Sequence, residues 1–121
     1  MRVTVSGNLG ADVASVGANG ATIAANAVTA NGDFGVLTTP ALTTAASTFE
    51  AAVTVTNDRA KTTSAIDVWV QEYSGTPITN GVPDVYVVSR ADGSFVIRYG
   101  NTNATNALNA GIKVGYRIWN A

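Results

Sequence analysis

Apolar and polar side chains alternate most clearly over residues 84–119. In SFVIRYG, Phe95, Ile97 and Tyr99 fall on one side of an extended backbone, and Ser94, Val96 and Arg98 on the other. In GIKVGYRIW, Ile112, Val114, Tyr116 and Ile118 share one face, while Lys113, Gly115, Arg117 and Trp119 share the opposite one. A two-residue period of this strength predicts half-buried antiparallel strands. The segment DVYVVS (84–89) supplies a strand before them, and Asp92-Gly93 stands where a tight hairpin reverses the chain.

Upstream, FEAAVTVTN predicts a strand with Phe49, Ala51, Val53 and Val55 on one face and Thr54 and Thr56 on the other. SAIDVWVQEY turns Ile66, Val68 and Val70 inward and Asp67, Trp69 and Gln71 outward. Between these two, NDRAKTTS concentrates charge as an exposed turn does. SGTPITNGVP has two prolines and an Asn-Gly, and so reads as a surface loop. GVLTTPALTTAASTF is extended chain interrupted at Pro40, which belongs at an edge, a bulge or a corner because it lacks an N–H. The Asn-rich NTNATNALNA is too long for a tight hairpin and predicts a crossing between sheets, anchored by Leu108.

Together these elements predict an all-β fold, a two-sheet antiparallel β-sandwich of about six to eight strands, with a small closed barrel as the alternative. Residues 33–121 form the sandwich domain in this reading. Residues 1–32 stand apart: they are mostly Ala, Gly, Asn and Val, with Ile23 and Val28 among their few large side chains. Such a segment buries little area against roughly 1–2 kcal/mol per residue of backbone ordering. It either supplies edge strands or is an extended arm that orders against another subunit.

Composition strengthens the β assignment. Only 12% of residues are charged, and Ala, Thr, Asn and Gly dominate. A chain of 121 residues buries about two-thirds of its unfolded surface, enough for one core. The net charge is −1, and no stripe of Lys and Arg follows a phosphate backbone, which argues against nucleic acid as a partner. There is no cysteine, hence no disulfide, thiol nucleophile or thiolate metal site. No secretory signal pattern or apolar run of bilayer length is present, so the sequence predicts synthesis in the cytoplasm and no membrane partner.

Candidate chemistry is sparse. Histidine is absent, which removes the usual general base near neutral pH and the commonest transition-metal ligand. Asp33, Asp58, Asp84 and Asp92 sit in predicted turns, and Asp67 and Glu72 lie on opposite faces of one strand. Loop aspartates leave room for a weak oxygen-ligand calcium site, though none has the spacing of a calcium loop. We therefore expect no enzyme activity, no cofactor and no metal. The outward faces are more informative. Trp69, Val96, Arg98, Arg117 and Trp119 all point away from the predicted core, and exposed Trp with Arg is the pairing enriched at interface hot spots. These five are the candidate interface, unless a bulge reverses the parity or a Trp caps the core. Tyr73, Thr76, Thr79 and Asn80 mark the candidate exposed loop.

The order of GVLTTPALTTAA, a strand ending in TVTN, S-x-I-x-V-W-V and then ADGSFVIRYGNTNATNALNAGIKVGYRIW resembles small β-sandwich proteins of tailed-bacteriophage virions. The likeness is to capsid decoration (cement) proteins and to the globular heads of tail fibres, and it runs from about Gly35 to Trp119. The resemblance implies a virion structural protein that associates with itself, trimers being common, and with the major capsid protein on the outer capsid surface. Read as complete from Met1, the chain lacks a fibre shaft, which favours decoration over the alternative, a receptor-binding head contacting host-surface glycan or protein. The resemblance brings no catalytic residues with it.

Overall fold

The computed structural model describes residues 20–120, and residues 1–19 of the candidate arm lie outside them. The described residues contain no helix. Nine strands follow in order: β1 (Gly20–Thr22), β2 (Ala27–Thr29), β3 (Phe34–Thr38), β4 (Thr48–Phe49), β5 (Val53–Thr56), β6 (Ala65–Tyr73), β7 (Pro83–Ala91), β8 (Ser94–Asn101) and β9 (Ile112–Trp119). They form the two layers of an all-β sandwich-like fold. The first sheet has the order β1-β3-β9-β6. In the second, β7 pairs with β8 along its whole length, so β4 and β5 share the other edge of β8, and β2 lies outside β5.

The sheets are mixed, where alternation alone predicts antiparallel ones. β1 runs parallel to β3 and β2 parallel to β5, and these are the two short strands contributed by residues 20–32. The chain reaches both edges through a turn at Ala25 and Asn26, whose φ values of 51° and 61° are left-handed. That turn passes it from one sheet to the other within four residues, with Ile23 buried at the corner. A parallel pairing leaves no trace in side-chain alternation, because the inward parity is the same in either direction.

The core lies between the sheets as the alternation predicts. Phe95, Ile97 and Tyr99 of β8 face Ile112, Val114, Tyr116 and Ile118 of β9, and all seven are buried. The Phe95 and Tyr116 rings meet across the layers at 5.7 Å. Asp92-Gly93 makes the β7–β8 hairpin, with Gly93 at φ 87°. Leu108 is buried in the crossing from β8 to β9, and its N–H donates to the Thr44 carbonyl.

One predicted strand is divided. Thr48–Phe49 and Val53–Thr56 both run along β8, but Phe49 pairs with Gly100 and Val53 with Ile97. Four residues on one strand therefore match three on the other, and the extra residue reverses the side-chain parity. Phe49 accordingly lies on the outer face and Ala51 is exposed, whereas Val53 and Val55 stay in the core. Further irregularities fall at Gln71 in β6 and Val88 in β7.

Two asparagines with no solvent exposure close the ends of the sandwich. The Asn57 amide donates to the carbonyls of Ala30 (2.6 Å) and Gly32 (2.9 Å), and its oxygen accepts the Arg59 N–H. At the other end, the Asn101 amide donates to Asn106 O (2.7 Å) and Thr44 O (3.2 Å), while its oxygen accepts the N–H groups of Val82 and Asn103. Asn101→Ala leaves these buried groups without partners, and we expect a loss of about 3 kcal/mol in denaturant unfolding.

Burial raises the pKa of the Tyr116 hydroxyl above its usual 10.0; the hydrogen bond with Asn57 opposes this, and Asp58 and Asp33 add to the rise. Tyr99 is raised by burial and by Glu50. Both folded-state values exceed the unfolded one, so this contribution to stability is complete below about pH 10 and is lost as pH climbs through the folded values. Denaturant midpoints are expected to be unaffected by these groups from pH 7 to 9 and to fall above pH 10, less steeply in Tyr116→Phe.

Candidate binding faces

The five outward residues of the candidate interface do not form one patch. Trp69, Arg117 and Trp119 lie on the outer face of the first sheet, and Val96 and Arg98 lie on the outer face of the second, on opposite sides of the core. They alternate identically along their strands, and only the assignment of β8 and β9 to different sheets separates them.

On the first sheet, register sets out the side chains in rows. Phe34, Arg117 and Asp67 stand abreast on β3, β9 and β6, and Val36, Gly115 and Trp69 form the next row. The third contains Thr38, Lys113 and Glu72, the last two joined in a surface ion pair at 3.9 Å. The Trp69 indole crosses onto β9 and fills the space above Gly115, where a β-carbon would collide with its Nε1, Cε2 and Cζ2 atoms. This close approach requires glycine at that position. The Arg117 guanidinium lies 4.0 Å from the centre of the Trp119 ring, a cation–π contact, and the Trp119 indole N–H donates to Asp67 Oδ2 at 3.3 Å. Phe34, Trp69 and Trp119 remain 37%, 44% and 48% exposed. Phe34, Trp69 and Arg117 line a shallow cleft of about 360 Å³.

The outer face of the second sheet is organised differently. Tyr86 stands opposite Arg98, and the Phe49 ring packs edge-on against Tyr86 at 5.6 Å across β8. A β-carbon at Gly100 would collide with the Phe49 Cα and Cγ atoms and the Thr48 carbonyl, so there it is largely backbone that comes close. Arg98 is half-buried and already engaged: Nε donates to the Glu50 carbonyl at 2.8 Å and Nη2 to the Phe49 carbonyl at 3.3 Å. Val96 is half-buried beside Thr54, and Val88, at the irregularity in β7, is 48% exposed.

The candidate exposed loop is only partly exposed. Thr76 and Thr79 face solvent, but Tyr73 and Asn80 are half-buried. The Tyr73 hydroxyl donates to the Asn80 carbonyl and accepts the Asn109 N–H at 3.0 Å, tying this loop to the β8–β9 crossing. The tip is instead Ile78, 70% exposed, with a left-handed φ of 72° and a carbonyl that accepts from the side chains of Asn103 and Asn106. A β-branched residue in that conformation is strained. The sequence signal for it was a lone isoleucine inside a run of turn residues. Phe34, Tyr86 and Val88 also belong to the outer faces; in the sequence Tyr86 is a weaker candidate, because both faces of its strand are apolar, and register sets it opposite Arg98.

Among the described residues, no three metal-ligating side chains converge. The acidic groups pair locally, as in Asp33 with Arg59 at 3.7 Å, accept single hydrogen bonds, as half-buried Glu50 does from the Thr44 hydroxyl, or face solvent. The arrangement is suited to holding surfaces and small polar ligands by contact. Ile78→Gly relieves the left-handed strain, and we expect a gain of about 1 kcal/mol in chemical denaturation; a loss would show that the isoleucine side chain is packed. Comparison of the chain with protein-family models, with curated proteins and with solved structures gave no match.

Proposed function

We propose that this chain is a non-enzymatic structural protein of a tailed-bacteriophage virion, a decoration protein that associates with itself and reinforces the capsid shell. The observation that carries the adhesive part of this reading is a sandwich with aromatic side chains exposed on both opposite outer faces, Trp69 and Trp119 on one and Tyr86 on the other. A module of that shape meets a protein surface on one side and still presents a second face. The viral part rests on the resemblance of the β3–β9 sequence to virion sandwich proteins.

Electrostatics distinguishes the two faces. Burying a charge costs several kcal/mol unless it is already paired or hydrogen-bonded. On the second sheet Arg98 has backbone acceptors within its own fold, which leaves Asp84, exposed opposite Gly100 and accepting the Val85 N–H, as the charge that covering this face desolvates. On the first sheet Arg117, Asp67, Lys113 and Glu72 would all lose water. The face bearing Tyr86, Val88, Val96 and Arg98 therefore seats against neighbouring subunits and the shell, and the Trp face turns outward. The exposed Ile78 tip supplies an apolar anchor at one end. Several such contacts in an oligomer, a trimer by the resemblance, need be only modest one by one.

Sedimentation of the full chain is expected to show an oligomer, and Val88→Glu to shift it toward monomer with its unfolding midpoint little changed. A wild-type chain that stays monomeric at every concentration rejects self-association. Electron microscopy of virions with an antibody to the chain is expected to label the outer shell; label at the tail tip favours the receptor-binding head instead, and unlabelled virions reject both.

A further inference from the structure

We propose that the cleft between Phe34, Trp69 and Arg117 binds a pyranose sugar that carries a carboxylate. This goes beyond the virion reading and does not depend on it, because the cleft belongs to the single subunit. Its volume of about 360 Å³ lies at the lower end of small-molecule sites, the range for one sugar ring and part of a neighbour. Two aromatic side chains on flanking strands give it apolar walls, Phe34 from β3 and Trp69 from β6, with β9 between them. The apolar C–H faces of a pyranose pack against such rings, while its hydroxyls stay in contact with water or polar groups at the rim.

The charge is what selects a carboxylate. Arg117 has no acidic group within ion-pair distance among the described residues, where the ion pairs are Arg59 with Asp33 and Lys113 with Glu72. Asp67, its cross-strand neighbour, accepts the Trp119 indole N–H instead. The guanidinium carbon lies 4.0 Å from the centre of the Trp119 ring, and among the described residues none of the side-chain hydrogen bonds uses its N–H groups. A planar fork of donors beside an apolar wall matches a two-oxygen anion joined to a sugar ring. A second protein is a poorer occupant, since it would have to strip water from Arg117, Asp67 and the Lys113–Glu72 pair together.

Gly115 is the positioning residue. With any β-carbon there, the Trp69 ring must lift off β9 and the cleft loses a wall. The test is titration of the full chain with oligogalacturonate and with sialyllactose, against cello-oligosaccharide and lactose as neutral counterparts, followed by tryptophan fluorescence and by backbone NMR shifts. We expect saturable binding of an acidic sugar with at least about tenfold preference over its neutral counterpart, the scale of one charge-assisted hydrogen bond. Arg117→Gln is expected to abolish that preference, and Phe34→Ala and Gly115→Val to weaken binding about tenfold or more. NMR spectra of each variant establish that it is folded, and Phe34→Ala keeps the test open should Gly115→Val not fold. Absence of saturable binding by any sugar, equal binding of acidic and neutral members, or binding that survives both cleft variants overturns the assignment.

Discussion

A chain that changes sheet at every connection except β4–β5 and β7–β8 must carry loop backbone across the ends of its sandwich. Carbonyl and N–H groups there lose water without gaining a strand neighbour, and each one left unpaired costs about 1–3 kcal/mol. Asn57 and Asn101 meet this constraint. Each has no solvent exposure and, at the end of a ladder, offers two donors and an acceptor to the backbone of the adjoining loops. A carboxamide suits the task because it is neutral, so it presents both kinds of partner without burying charge. The hydroxyl of Tyr116 adds to the first of these sites by donating toward the Ala30 and Asn31 carbonyls.

With its ends closed this way, the sandwich tolerates irregular strands. Single extra residues interrupt the β4–β5 run, β6 and β7. Each reverses parity from that point on, and each places something on the surface that strict alternation would bury, or the reverse. Phe49 moves outside, where it packs on Tyr86 and lies close to Gly100. In β7 the extra residue sets Ser89, which strict alternation from Val85 and Val87 would turn inward, opposite Val96 on the outer face. The irregularities also interrupt the free edges of β6 and β7, a recognised defence against unwanted strand pairing.

The two outer faces then differ in a way that bears on function. Both present large apolar side chains beside a cross-strand glycine, the Trp69 ring laid over Gly115 and Phe49 packed close to Gly100 and against Tyr86. Their arginines have different surroundings. Arg98 is tied to main-chain carbonyls, and Arg117 lies against the Trp119 ring with no acceptor for its N–H groups among the described residues. The first arrangement lowers the cost of covering the face with protein. The second keeps a charged, hydrogen-bonding group available to a small polar ligand. Assembly and ligand capture are thus assigned to opposite sides of one core.

The all-β class, the inward set of β8 and β9, the Asp92-Gly93 hairpin and the buried Leu108 were all legible in the residues themselves. They depend on local rules, a two-residue period and turn chemistry, that act between near neighbours. The outward direction of Trp69, Arg117 and Trp119 followed from the same period. That Val96 and Arg98 belong to a different face was not legible, because alternation says which side of a strand a residue takes and not which sheet the strand joins. The parallel pairing of β1 with β3 and of β2 with β5, the outward turn of Phe49, the strained tip at Ile78 and the placing of Phe34 and Trp69 around one cleft over β9 all required register between distant segments. Those were decided only when the layers closed on one another, since burial and hydrogen-bond satisfaction at each site depend on strands tens of residues away.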